Sequence, residues 1–429
     1  MSQEREISVG YVARVEGQGS LEIRVSSGKI DELRLGIFEP PKFFEAFLIG
    51  RHCGEVHELT SRICGICPVP HQITALRAVE NALGIRVSEQ TRDLRKLMNY
   101  GSHIQSHILS LYFLAAPDYL GYESLFQMVK EHLKIVKRAL KLKKLGNDLV
   151  ELLGARAIHP TSAVVNGFTK VPEKEDMNLM RRRLLDAKQD ACDTVEFFSS
   201  LKIPEFVRRS EHVALSTSGE FAINEGLLVS TEGMKIEEDE YRECFKESQV
   251  EYSWAKHSQV IGRGSFLVGP LARVNLNFDR LSHDAKKLAG RIGFEVPNFN
   301  PFMSHIARAL EVVNAIDDCI EIIDRVPLRE EDRSYEVRSG IGFAVTEAPR
   351  GLLYHSYEIE DDGSVRKADI VTPTAQNARN IENDLRELVP TIADLTDEEA
   401  TLRCEMLVRA YDPCISCSVH YVNLDRPRT

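Results

Sequence analysis

Arg62-Ile63-Cys64-Gly65-Ile66-Cys67-Pro68-Val69-Pro70-His71 is the stretch on which the reading of this chain turns. It has a counterpart near the other end, Asp412-Pro413-Cys414-Ile415-Ser416-Cys417-Ser418-Val419-His420. Each is a C-x2-C pair with a histidine three or four residues on. That spacing sets two sulfurs close enough to grip one metal ion, and two such pairs supply four thiolates, a set suited to soft or borderline metals. Zinc ribbons close loops of about 15–20 residues between their pairs. Here Cys64 and Cys414 stand 350 positions apart, so a shared site would tie the two ends of the chain together. On spacing alone, a structural zinc site and a redox or catalytic metal are evenly matched. A redox-active dithiol explains one pair but not two. The flanks add prolines at 68, 70 and 413, and a helix begins directly after Cys67, where the N-terminal dipole favours thiolate over thiol.

Working outward, the 429 residues are 43% hydrophobic and 28% charged, the balance of a globular protein. At roughly 150 residues per domain the prior is about three domains. A metal site built from both ends argues instead for one interwoven unit over 1–429. The net charge of −11 argues against a nucleic-acid groove. Nine cysteines is an odd number for a closed disulfide framework, and a chain of this size needs no such staples, so they read as reduced thiols in the cytoplasm. No run of about 18 apolar residues predicts a membrane span. The charged start lacks the apolar core of a secretion signal.

Residues 5–37 read as strands, because Leu21, Ile23 and Val25 alternate with Glu22 and Arg24 and a turn falls at Ser26-Ser27-Gly28-Lys29. Helical spacing dominates a body from about 71 to 330. His71–Leu83 ends at Gly84, and further helices are expected over 91–115, 122–153, 174–201, 236–260, 277–292 and 301–325. In 122–153 the apolar stripe reads Leu125, Val129, Leu133, Val136 and Leu140. Strands return over 333–371 with a hairpin at Asp361-Asp362-Gly363, and helices fill 375–410. The expected class is mainly α with small β-sheets (α+β), closing in a C-terminal metal-binding segment at about 405–420.

R-I-C-G-I-C-x3-H and D-P-C-x2-C-x2-H together resemble the two signatures of the large subunit of [NiFe] hydrogenases. Arg14-Val15-Glu16-Gly17, Ile158-His159-Pro160, Val268-Gly269-Pro270-Leu271-Ala272-Arg273 and Glu347-Ala348-Pro349-Arg350-Gly351 extend the resemblance over nearly the whole chain. It implies the helical-bundle body of that family. It also implies that Cys64, Cys67, Cys414 and Cys417 bind nickel, with Cys67 and Cys417 bridging to an iron that carries carbon monoxide and two cyanides. By the same resemblance Glu16 takes a proton from Cys414, and Arg350, beside Pro349, lies over the metals. Thr374, after Pro373, holds a cyanide, and Leu353 lines the carbon monoxide pocket. Asp118 and Asp412 position Arg350. Glu45 and His420 hold a second metal, magnesium or iron, and His71 is a hydrogen-bond partner rather than a ligand.

The remaining cysteines, Cys53, Cys192, Cys244, Cys319 and Cys404, lack C-x2-C spacing and read as small core hydrophobes. None forms a set able to hold an iron–sulfur relay. Electrons must therefore leave through another chain, which the family provides as an iron–sulfur small subunit. The I-S-C-S-V-H wording is most similar to soluble NAD(P)-linked complexes with flavin and iron–sulfur diaphorase subunits. Nickel-insertion proteins and a maturation protease are further implied partners, the protease removing a tail after the last histidine; Tyr421–Thr429 hold that place. The activity implied is reversible cleavage of dihydrogen into protons and electrons. The alternatives are a hydrogen-sensing relative built on the same site and a four-cysteine zinc protein. The quinone-site subunit of respiratory complex I, which shares the fold, lacks the four cysteines.

Overall fold

The computed structural model describes residues 5–26, 29–40 and 43–419. The turn predicted at Ser27-Gly28, the ligand candidate His420 and the tail 421–429 lie outside the described residues. At the N-terminal end, strands Arg5–Val9, Gly19–Ser26 and Lys29–Ile37 form an antiparallel sheet. Its register sets Leu21 opposite Leu35 and Ile23 opposite Leu33, and all four are buried. The period-two pattern thus gives one face to the core.

The helical body is built on Pro68–Leu83, Glu89–Ile108, Leu133–Gly154, Lys174–Ser199 and Ser304–Arg325. Pro68 opens its helix, where a missing N–H costs nothing, and Gly84 closes it in the left-handed conformation at φ 67°. Ser88 caps the next helix by accepting from Thr91 N–H at 3.0 Å. That helix, Glu89–Ile108, is buried along nearly its whole length and runs on through a π-helical stretch, Leu109–Ala115. It lies against Leu133–Gly154 closely enough that a Cβ on Gly146 would sit 2.6 Å from the Gln105 nitrogen.

Three expectations are corrected. Residues 122–132 are turns with one 3-10 turn, and the helix starts only at Leu133. Its buried face is Val136, Ala139, Leu142, Leu145, Leu149, Val150 and Leu153, whereas Leu133 and Leu140 are 47% and 51% exposed. A stripe read from large residues alone slid off the face that Ala139 and Gly146 share. Residues 236–260 are mostly strand: after one helical turn, Tyr241–Cys244, strands Phe245–Val250 and Ser253–Val260 pair antiparallel. In Ser253–Val260 the alternation of buried Ser253, Ala255 and His257 with more exposed Trp254 and Lys256 is period two, and it is carried by small and polar residues. Residues 333–339 are unpaired, and the sheet begins at Gly340.

That sheet is Gly340–Ala348, Gly351–Ile359 and Val365–Val371. Its second hairpin turns at Asp361-Asp362-Gly363 as expected, with Gly363 at φ 82°. Its first turns at Pro349-Arg350, with Ala348 opposite Gly351. Helices Pro373–Thr391 and Asp397–Tyr411 follow, the latter opened by a Thr396/Glu399 capping box. One continuous apolar core contains both Ile7 and Cys417. No helix among the described residues is long and apolar enough to cross a membrane.

Candidate metal centre

The two C-x2-C pairs stand where the backbone is forced to turn. Cys64 follows the short turn Ser61–Ile63 in an extended conformation, and Cys67 caps the helix opened by Pro68. At the other end the helix Asp397–Tyr411 stops at Asp412, which adopts φ 54°. Pro413 prevents continuation, and the single turn Ile415–Ser418 carries Cys417. The start of the chain completes the site. Glu16 forms a parallel bridge with Cys414, its carbonyl accepting from Ile415 N–H at 2.9 Å.

The four sulfurs lie within 4.8 Å of one another. Cys64 is 3.3 Å from Cys414, Cys414 is 2.8 Å from Cys417, and Cys67 is 3.8 Å from Cys417. All four residues are at most 5% exposed. Cys64 Sγ accepts from the N–H groups of Ile66 and Cys67, each at 3.3 Å. Four thiols this close cannot all ionise unaided. Burial opposes ionisation at Cys64, but hydrogen bonds from the other thiols and the charge of Arg350 bring it well below the usual thiol range. Burial, reinforced by the charge already held at Cys64, pushes Cys417 well above that range, and burial with the neighbouring thiols does the same to Cys414. A thiophilic metal ion is the group that relieves this conflict, and the donor set fits one.

Glu16 Oε2 accepts from Cys414 Sγ at 3.2 Å and from Ser416 N–H at 2.9 Å, and Ser416 Oγ donates to Oε1. Thr374 Oγ1 accepts from Cys414 N–H at 2.8 Å, fixing the metal-facing loop to the first turn of Pro373–Thr391. Arg350 is 2% exposed at the hairpin tip. Its Nε donates to the Asp412 carbonyl at 2.7 Å, Nη2 to Asp412 Oδ1 at 3.2 Å and Nη1 to Ser106 Oγ at 3.3 Å. Burial opposes the charge on its guanidinium, but Asp412 and the sulfurs of Cys414, Cys67 and Cys64 outweigh it and hold the group charged. Pro349, Leu353 and Pro373 are all buried.

Other candidates fall differently. Asp118 does not meet Arg350: its carboxylate is taken by Arg409 Nε at 2.7 Å and by Arg14. The expected link fails because the helix end carrying Asp118 faces the Asp397–Tyr411 helix, where Arg409 offers a bidentate fork. Glu45 is buried and accepts from Ile370 N–H at 2.7 Å, and burial pushes its carboxyl up to about 8. His71 Nδ1 lies 3.2 Å from His355 Nε2, and His355 Nδ1 lies 2.7 Å from the Tyr357 hydroxyl. Of the remaining cysteines, Cys53, Cys319 and Cys404 are core residues, but Cys192 and Cys244 are only half-buried. Among the described residues, one other group has metal-ligand proximity, His103, His107 and Glu311. Both Glu311 oxygens are held by Arg273 at 2.7 Å, so a cation's place there is already filled. Arg273, Ser106 and His355 received no role from the sequence, although Arg273 ends a motif singled out there.

A buried four-cysteine site joining both ends of a helical chain has the donor set of a metalloprotein, and the comparisons give the family. The model of the nickel-dependent hydrogenase family matches residues 42–138 and 202–420. Sulfhydrogenase 1 subunit alpha of Pyrococcus furiosus is 39% identical, over 97% of this chain and 98% of its own length. The NAD-reducing hydrogenase HoxS subunit beta of Cupriavidus necator is 24% identical, over 97% and 95%. A solved NAD+-reducing [NiFe]-hydrogenase in the H2-reduced state superposes with a TM-score of 0.85 at 25% identity, over 97% of this chain and 99% of the other. The chain belongs to the nickel-dependent hydrogenases and is a catalytic large subunit of the [NiFe] type, acting on dihydrogen.

Proposed function

We propose that this subunit carries out reversible heterolytic cleavage of dihydrogen and passes the electrons to an iron–sulfur small subunit, with NAD(P) or ferredoxin-linked partners beyond it. The observation that carries the reading is the meeting of buried Cys64, Cys67, Cys414, Cys417 and Arg350 with half-buried Glu16 in one site. Cys64 and Cys414 would be terminal nickel ligands, and Cys67 and Cys417 would bridge to an iron bearing carbon monoxide and two cyanides. Once bound, that metal pair supplies the polarisation that splits dihydrogen.

The chain's own groups do the rest. Cys414 Sγ is the proton's first stop, and Glu16 Oε2, 3.2 Å away, is the next. Ser416 holds that carboxylate from two sides and so keeps it facing the sulfur. Arg350, always charged, supplies N–H donors above the thiolates and is aimed by Asp412 and Ser106. Thr374 offers a hydroxyl for one cyanide beside the Cys414 loop, and Leu353 lines the apolar side for carbon monoxide. Glu45, with His420, would hold magnesium or iron near the C-terminus: a buried carboxyl lifted to about 8 is a group that a cation would keep ionised.

Electron exit through another chain is supported by the cysteine inventory, since among the described residues the four-thiol site is the one cysteine cluster. The sulfhydrogenase and NAD-reducing relatives are named as single subunits, which supports a multi-subunit assembly; we place it in the cytoplasm with a diaphorase module. They also favour an enzyme over a sensor. Infrared spectroscopy of the purified complex tests the centre, because iron-bound carbon monoxide and cyanide absorb where protein does not. Nickel and iron with those bands are expected; zinc in their place would overturn the reading.

A further inference from the structure

The run Val268-Gly269-Pro270-Leu271-Ala272-Arg273 plays no part in the reading above, yet its last residue is wholly buried. Arg273 lies on the helix Pro270–Asn277, and every one of its five N–H donors finds an acceptor. Nε donates to Glu311 Oε1 at 2.7 Å and Nη2 to Glu311 Oε2 at 2.7 Å. Nη1 donates to Glu347 Oε2 at 2.9 Å. The last two bonds go to backbone: Nη1 to the Ala348 carbonyl at 2.9 Å and Nη2 to the Pro349 carbonyl at 3.0 Å. Those are the two carbonyls immediately before Arg350.

The rest of the turn is held in the same manner. The Glu347 carbonyl receives His103 Nε2 at 3.0 Å and Asn99 Nδ2 at 3.3 Å. Gly269 presses against the far side: a Cβ there would lie 2.8 Å from the Arg350 carbonyl oxygen. Glu311 is itself fixed by His107 Nε2 at 2.8 Å, so the clamp is anchored to the central helix Glu89–Ile108. A hairpin tip ordinarily has carbonyls open to solvent. This one is buried, and one arginine satisfies two of its carbonyls while bridging two carboxylates.

We propose that Arg273 is a positioning residue: it fixes the Ala348-Pro349-Arg350 turn and thereby the aim of the Arg350 guanidinium toward the four sulfurs. The inference rests on the nickel–iron reading of that site. Arg273→Lys in the whole complex tests it. Lysine keeps one positive charge against Glu311 and Glu347, but its three donors cannot span two carboxylates and two carbonyls. The expected result is retained nickel and iron, a KM for dihydrogen within about twofold and a kcat per nickel lowered about 100-fold, with the cyanide bands shifted as Arg350 moves. A merely structural role predicts loss of stability or metal with kcat per nickel unchanged and bands unmoved, and that result would overturn the clamp. If Arg273→Lys fails to assemble, Glu311→Gln loosens Arg273 without touching the turn. It should lower kcat per nickel about tenfold, and unchanged kcat and bands would refute the proposal. A wild-type complex without nickel, iron or cyanide bands defeats the centre itself; bands present with indifferent variants defeat the clamp alone.

Discussion

Glu16→Gln separates the proton-accepting role of this residue from its structural one. The carboxylate accepts three bonds, from Cys414 Sγ at 3.2 Å, Ser416 N–H at 2.9 Å and Ser416 Oγ. Glutamine has the same shape, and its carbonyl oxygen can still accept from Cys414 and Ser416 N–H. Its amide can donate to Ser416 Oγ, whose hydrogen is free to rotate away. The loop is therefore kept, and only the capacity to bind a proton is lost. Positioned acid–base groups contribute about 10²- to 10⁴-fold, so kcat in hydrogen uptake with an artificial electron acceptor should fall by that factor. At about 1.4 kcal/mol per decade this is a barrier increase of about 3–5 kcal/mol. Thermal stability should change far less, by about 1 kcal/mol, the difference between charged and neutral hydrogen bonds. Infrared bands should remain in place. A variant with those bands intact and uptake within twofold of wild type would refute the route through Glu16. Loss of the bands would show instead that the residue builds the site.

Asp118→Asn should destabilise without slowing the folded enzyme: it weakens a buried fork to Arg409, and breaking such pairs costs about 3–5 kcal/mol. The check is a lowered thermal midpoint beside unchanged kcat per nickel; a fall in kcat at full stability would return Asp118 to the residues that position Arg350. For the metal-free chain, Glu45 has its folded pKa raised from 4.5 to about 8. Its contribution is therefore full below pH 4.5 and is lost as pH rises through 8. The midpoint should fall over that window, Glu45→Gln should flatten the trend, and a divalent cation should reverse it; identical curves for variant and wild type would remove Glu45 from the second site. Leu145→Ala should cost about 2–5 kcal/mol, whereas Leu133→Gln and Leu140→Gln should be nearly neutral in thermal unfolding. Equal losses at all three would contradict the packing of that helix.

What was legible in the sequence, and what was not, divides along a physical line. Cys64, Cys67, Cys414 and Cys417 were readable because a ligand pair is a local pattern and thiol chemistry has few other uses in such a pattern. The Pro68–Leu83 helix was readable because its start and stop are set by its own Pro68 and Gly84. Arg273 was not, because its five acceptors come from Glu311 on one helix and from Glu347, Ala348 and Pro349 on a hairpin, and no local spacing encodes that convergence. The strands over 245–260 were missed for a related reason. Ala255, at the centre of Ser253–Val260, packs with Ile37, Ile415 and Val419, so this strand helps seat the segment that carries Cys417. Of its inward residues, Ser253, Ala255 and His257 are small or polar, and only Val260 at its end is a large aliphatic residue. A strand whose buried positions are filled by serine, alanine and histidine carries little hydrophobic alternation to read. One segment that the sequence did not reveal as strand is therefore among those that seat the C-terminal end of the chain at the metal site.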